Sequence, residues 1–130
     1  MQHLEVGLVG ADDALVDFYA AVFEMEKLPA MQAGPGVVHR LQGPGVVIKV
    51  MVPSQAPAPA QPVEPFFAMT GLRYVTIYDA DLDAVVERAV ARGGSVRHGP
   101  TELGPGVRIV VLSDPDRNVI EVVEVNRPPS

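Results

Sequence analysis

An α+β fold made of two tandem βαβββ modules is the architecture this sequence predicts, and three observations carry that prediction. A strand–helix–three-strand pattern occurs twice along the chain. The two copies also match residue by residue: Val6 with Val75, Asp12 with Asp81, Val16 with Val85, and Val47-Ile48-Lys49-Val50 with Val119-Ile120-Glu121-Val122. Such a duplication is a stronger topological signal than any single element. Between the copies lies a proline- and alanine-rich stretch that suits neither helix nor central strand. The expectation is one 130-residue domain with modules at 1–52 and 71–126, joined by a linker at 53–70. Each module has one apolar helix stripe and a one-sided set of strands. Helices therefore belong outside, and the mixed sheet should curve around a shared cleft.

The first strand, His3 to Val9, alternates so that Leu4, Val6 and Leu8 face the core while His3, Glu5 and Gly7 face the other way. Asp12 and Asp13 supply a helix N-terminus. Leu15, Val16, Tyr19, Val22 and Phe23 recur at helical spacing, which predicts an amphipathic helix over 12–25. Strands follow near 27–33, 36–42 and 45–52, with Gly-Pro-Gly at 43–45 as punctuation. In the second module Gly71 to Tyr78 reads as a strand with Val75 and Ile77 inward. Leu82, Val85, Val86, Ala89 and Val90 mark a helix begun at Asp79 or Asp81 and stopped at Gly93-Gly94. Three strands close the module near 95–98, 106–112 and 118–125. The Asp79, Asp81, Asp83 cluster is read as helix capping, because the spacing of a calcium loop is absent.

Composition removes several classes of function. There is no cysteine, hence no disulfide, thiolate metal site or cysteine nucleophile. Net charge is −6 with only two lysines and no basic stripe, so no nucleic-acid partner is expected. No apolar run is long enough to span a bilayer, and with the first strand beginning almost at Met1 no signal peptide is expected. A cytoplasmic protein with a small-molecule partner is the expectation.

The most informative segment is Leu112 to Val123, where Asp-Pro-Asp-Arg-Asn at 114–118 turns the chain between two β-branched runs. Past the turn Val119, Glu121 and Val123 share one strand face. A carboxylate among such neighbours is solvated, paired or placed for chemistry. Glu-Val-Gly-Leu-Val at 5–9, Leu-Val-Asp-Phe-Tyr at 15–19, Gly-Leu-Arg-Tyr-Val at 71–75, Asp-Leu-Asp-Ala-Val-Val-Glu-Arg-Ala at 81–89 and Asp-Pro-Asp-Arg-Asn-Val-Ile-Glu-Val at 114–122 together carry a resemblance. The chain resembles the vicinal oxygen chelate superfamily, which includes glyoxalase I, the bleomycin-resistance proteins and the extradiol dioxygenases. Arg117 stands where that family's ending usually has glycine.

The resemblance implies four ligand positions in metal-dependent members, which fall here on Glu5 (with His3 as a fallback), Lys49, Tyr74 and Glu121. Only Glu121 matches the family pattern. An ammonium has no lone pair to offer a cation, and phenol is a poor ligand for zinc, nickel or magnesium. No cofactor is therefore expected; a divalent metal, if one bound, would use Glu121, Glu5 and His3. Lys49 is expected instead to act as counter-ion to Glu5 and Glu121. Val47, Met51, Thr76, Val119 and Val123 share these strand faces and are read as substrate-binding. One of His39 and Arg40 should join them, and strand parity leaves open which.

Three functions remain. The first is a metal-independent enzyme doing acid–base chemistry on an apolar metabolite, of isomerase, epimerase, lyase or ring-forming type in secondary metabolism. In it Glu121 is the base, Tyr74 the donor, and Glu5 and Lys49 complete the catalytic set. The second is a non-catalytic drug-binding resistance protein, although the chain has no tryptophan for stacking flat ligands. The third is a metal-dependent glyoxalase or dioxygenase. A homodimer is expected in each case.

Overall fold

The computed structural model describes residues 1–126 and contains two helices and two mixed sheets, an α+β arrangement. The chain divides into two compact units, Met1–Pro59 and Ala60–Ser130.

In the first unit, β1 (Glu5–Val9) leads into α1 (Ala14–Val22). Then come β2 (Glu26–Lys27), β3 (Met31–Ala33), β4 (Gly36–Gly43) and β5 (Val46–Pro53). The sheet order is β1-β5-β4-β2, with β3 also on β4 and β1 parallel to β5. The strand expected at 27–33 is thus two short pieces on one partner. Lys27 pairs with Leu41 and Met31 with Val38, so the outer chain carries one extra residue between these pairs. Pro29 lies in that gap and has no N–H to give the ladder, which accounts for the break.

Helix α1 buries Leu15, Val16, Phe18, Tyr19 and Val22, and packs against β2 and β4. It is shorter than the 12–25 expected. Asp12 Oδ1 accepts from the Ala14 amide at 2.9 Å, while Asp13 makes no side-chain cap. The far end stops where Glu24 takes a left-handed φ of 53°. Phe18, not Phe23, completes the buried stripe. Leu4 is 69% exposed, contrary to the expected core position, because β1 begins only at Glu5.

The second unit repeats this plan. β6 (Tyr74–Tyr78) precedes α2 (Leu82–Ala91), followed by β7 (Ser95–Gly104), β8 (Val107–Ser113) and β9 (Val119–Val125). Sheet order is β6-β9-β8-β7, with β6 parallel to β9. The repeat extends to register. Glu5 pairs with Val47 and Gly7 with Lys49, just as Tyr74 pairs with Val119 and Thr76 with Glu121. Strand β7 runs beyond the expected 95–98 to Gly104, but its pairing with β8 shifts around Gly99-Pro100.

Helix α2 buries Leu82, Val85 and Ala89 and packs on β7, β8 and β9. Val90, expected in its apolar stripe, is instead exposed. The Asp81 side chain caps the helix by accepting from the Ala84 amide at 3.1 Å. Gly93, at φ 93°, ends it, and the Gly94 amide reaches the Ala89 carbonyl. Residues 54–65 form neither helix nor strand, as their prolines require. No helix among the described residues is long and apolar enough to cross a membrane.

Candidate functional site

Paired residues on neighbouring strands share a face. In the first unit one face carries Val6, Ile48, Val50, Leu41 and His39, among which Ile48, Val50 and Leu41 are buried. The other face carries Glu5, Gly7, Val47, Lys49, Met51 and Arg40. That settles the choice left open between His39 and Arg40. Arg40 stands on the Glu5 face, and its Nε and Nη2 lie 3.3 and 3.5 Å from the Glu5 carboxylate oxygens. His39 turns to the opposite face, where its Nε2 is 3.5 Å from Asp13 Oδ1 at the start of α1.

Glu5 is held by two partners. His3 Nε2 is 2.9 Å from Oε2, and Arg40 pairs from across the sheet. The hydrogen bond from His3 is the largest influence and lowers the Glu5 pKa below the ordinary glutamate value; burial opposes it, and the hydrogen bond and charge of Arg40 lower it further. Lys49 was expected to be the counter-ion to Glu5, but Arg40 and His3 occupy that role. Lys49 is exposed and has no ion-pair partner among the described residues. Its neighbours across the sheet are Gly7 and Arg40.

In the second unit the face away from α2 carries Tyr74, Thr76, Val119, Glu121 and Val123. Val119 and Val123 are buried and Glu121 between them is half-buried. The Thr76 hydroxyl donates to Glu121 Oε1 at 2.9 Å, and no cation pairs with this carboxylate among the described residues. Tyr74 is 53% exposed and meets Phe66 edge-on at 5.3 Å. Leu72 precedes β6 and is fully exposed. The two glutamates of the repeat therefore sit in different surroundings, one ion-paired and one held only by a hydroxyl.

A cavity of about 140 Å³ also lies within the second unit, against the start of β9. Its wall includes Val63, Phe66, Val119 and three arginines, Arg73, Arg97 and Arg117. None of the three arginines was read from the sequence as a site residue. Their convergence depends on chain 60–66 folding back toward β9, and composition marks that segment only as extended. The one local signal was Arg117, standing where the resembled family usually has glycine, and the structure gives it a φ of 68°.

Comparison with known proteins bears on the whole chain. The profile of the Glyoxalase/Bleomycin resistance protein/Dioxygenase superfamily matches residues 2–122. The chain belongs to this superfamily. A glyoxalase-family protein from Bacillus cereus is similar in fold, with TM-score 0.82 and 15% identity over 98% of this chain and 96% of that one. A glyoxalase/bleomycin resistance protein/dioxygenase family enzyme from Burkholderia phytofirmans PsJN gives TM-score 0.68 and 20% identity over 94% and 97%. A glyoxalase I variant from Zea mays gives TM-score 0.73 and 18% identity, covering 98% of this chain and 46% of that one. At these identities the likeness is one of fold. Among curated protein sequences there is no significant match.

Superfamily membership raises the question of a metal, and the residues present can be judged by their donor chemistry. Of the four corresponding positions, Lys49 carries an ammonium with no lone pair and Tyr74 a phenol. Glu5 is already engaged by Arg40 and His3. No group of three or more His, Asp or Glu side chains among the described residues is placed to hold a cation. The residues present do not fit a resident divalent metal of the glyoxalase type.

Proposed function

We propose that this superfamily member is a metal-independent enzyme that moves a proton on a small, largely apolar metabolite, with Glu121 as the base. The observation that carries the reading is the contrast between the two repeated carboxylates. Glu5 is ion-paired, which spends its basicity on Arg40 and His3. Glu121 keeps one oxygen free of side-chain partners, while Thr76 orients the other. Buried Val119 and Val123 flank it with the apolar surface that a small-molecule site requires.

In this reading Glu121 takes a proton from carbon beside a carbonyl, and the exposed Tyr74 hydroxyl on the neighbouring strand returns one to the oxygen or to carbon. Thr76 positions the base, and Val119 and Val123 exclude water from it. Glu5, Lys49, Arg40, Val47 and Met51 share the corresponding sheet face of the first unit. The protein works as a homodimer in the cytoplasm.

The test is solvent deuterium incorporation. Purified protein is incubated in D2O with a panel of small ketones and keto acids, with and without chelator, and exchange is followed by proton NMR. Wild type is expected to exchange a subset of the panel regardless of chelator. Glu121→Gln should slow that exchange by about 10²-fold or more, the usual range for loss of a general base. Ligands that bind and are recovered without deuterium would favour sequestration instead. Exchange abolished by chelator would overturn metal independence.

A further inference from the structure

We propose that the arginine-lined cavity of the second unit is a binding site for the anionic end of a small molecule, a carboxylate or a phosphate. Three of the chain's eight arginines meet there, although the protein as a whole carries a net charge of −6. Overall charge would not draw an anion to this protein, so the cluster is a local feature.

Each arginine is held in a different way. Arg97 is largely buried and ion-paired with Glu64. Arg73 Nε donates to the Phe66 carbonyl at 3.3 Å, and its Nη1 lies 3.8 Å from the Met69 sulfur. Arg117 Nη2 donates to the Ala60 carbonyl at 3.4 Å. Arg73 and Arg117 thus rest on neutral acceptors and have no carboxylate partner among the described residues. Each guanidinium has five N–H donors, so most remain to be satisfied by water or by a ligand oxygen. The one acid among the described wall residues is Asp116, which is exposed, and the positive charges still outnumber Asp116 and Glu64 together.

The backbone that presents Arg117 is strongly determined. Asp114 Oδ1 accepts from the amides of Asp116 and Asn118, both at 2.9 Å, and Asn118 Nδ2 donates to Asp114 Oδ2 at 2.8 Å. This holds Arg117 at φ 68°, a conformation that disfavours a long side chain. A cationic side chain is therefore carried at a strained position that opens on the cavity. Beside the cations stand Val63, Phe66 and buried Val119. An anion with an apolar body fits this combination better than a bare ion. Guanidinium groups favour the planar two-oxygen geometry of carboxylate and phosphate.

The property is separate from turnover at Glu121, and either can fail alone. The experiment is an amide NMR titration of the full chain with inorganic phosphate, phenyl phosphate and benzoate. Saturable shifts are expected at Arg117, Asn118 and Val119, with the aromatic probes binding more tightly than phosphate. Arg73→Gln and Arg117→Gln should each weaken binding by at least about tenfold, the loss of a charge-assisted hydrogen bond. Arg92→Gln, at the exposed end of α2, should leave affinity unchanged. Arg117 is exposed, so its variant keeps the test valid even if Arg73→Gln folds poorly. Absence of saturation with all three probes would overturn the proposal. So would binding that survives Arg117→Gln or falls equally in Arg92→Gln.

Discussion

Glu5 shows how a single residue can be read as a site and turn out to be already occupied. Its folded pKa lies below the ordinary value because His3 and then Arg40 favour the ionised form. A carboxylate depressed in the folded state contributes stability that is complete above the unfolded value. That contribution is lost as pH falls through the folded value. The expected outcome is a Glu5 carboxyl that titrates below an ordinary glutamate by carbon-detected NMR. Its midpoint should rise in His3→Ala and in Arg40→Ala. A wild-type midpoint at the ordinary value would contradict the pairing. Strand alternation was enough to put Tyr74, Thr76, Val119, Glu121 and Val123 on one face, because period two needs only the sequence. It also put Glu5 and Lys49 on one face of the first sheet. It did not reveal Arg40 as the partner of Glu5, since the two are 35 residues apart and the choice between His39 and Arg40 needed the β4–β5 register. The three cavity arginines escaped for the same reason. Arg97 meets Glu64 across 33 residues, a contact that leaves no trace in local pattern.

Elements were legible where local chemistry decides them and illegible where a neighbour does. Both helices announced themselves through apolar spacing and an aspartate start, yet α1 ended early because the chain reverses at Glu24. Pro29 and Gly99-Pro100 perturb the outer strands, whose extent depends on how much irregularity β4 and β8 accept. The start of α2 holds a contact that no element pattern implies. Glu124, only 7% exposed on the helix-facing side of β9, accepts from the Leu82 amide at 2.8 Å. Arg108 lies 3.5 Å from Glu124 and grips Asp83 with two bonds of 3.0 and 2.9 Å. The hydrogen bonds from Arg108, with its charge, hold the Asp83 carboxyl below its ordinary value. Here a strand carboxylate satisfies one of the orphan amides at a helix N-terminus. Glu124→Ala should cost about 1–3 kcal/mol in urea unfolding, since it strands a buried donor. Asp81→Ala should cost about 1 kcal/mol through loss of the cap. If Glu124→Ala falls within about 0.5 kcal/mol of wild type, as exposed substitutions do, the capping role is wrong.

At the scale of the whole molecule, duplication explains both the fold and its exposed edges. The two units share one register, in which Glu5 corresponds to Tyr74 and Lys49 to Glu121, so the repeated positions hold an ion-paired glutamate, a phenol, a lysine and a glutamate held by a hydroxyl. The same plan leaves β1 at the end of one sheet and β6 at the end of the other, each paired on one side within its own sheet. An edge strand offers unpaired N–H and C=O groups and is a liability unless something covers it. On β6 that edge also displays Tyr78, which is 72% exposed, and no residue of Tyr74–Tyr78 carries a charge. A symmetric contact between two copies would cover the edge and bury the ring, and closed two-fold pairing does so without propagating into a filament. Light scattering at micromolar concentration is expected to return twice the chain mass. Tyr78→Lys, which places a charge on the edge, should return the single-chain mass with unchanged circular dichroism. A wild-type protein that scatters as a single chain would refute the dimer. A Tyr78→Lys protein that stays paired would move the interface away from β6 while leaving the two-fold assembly intact.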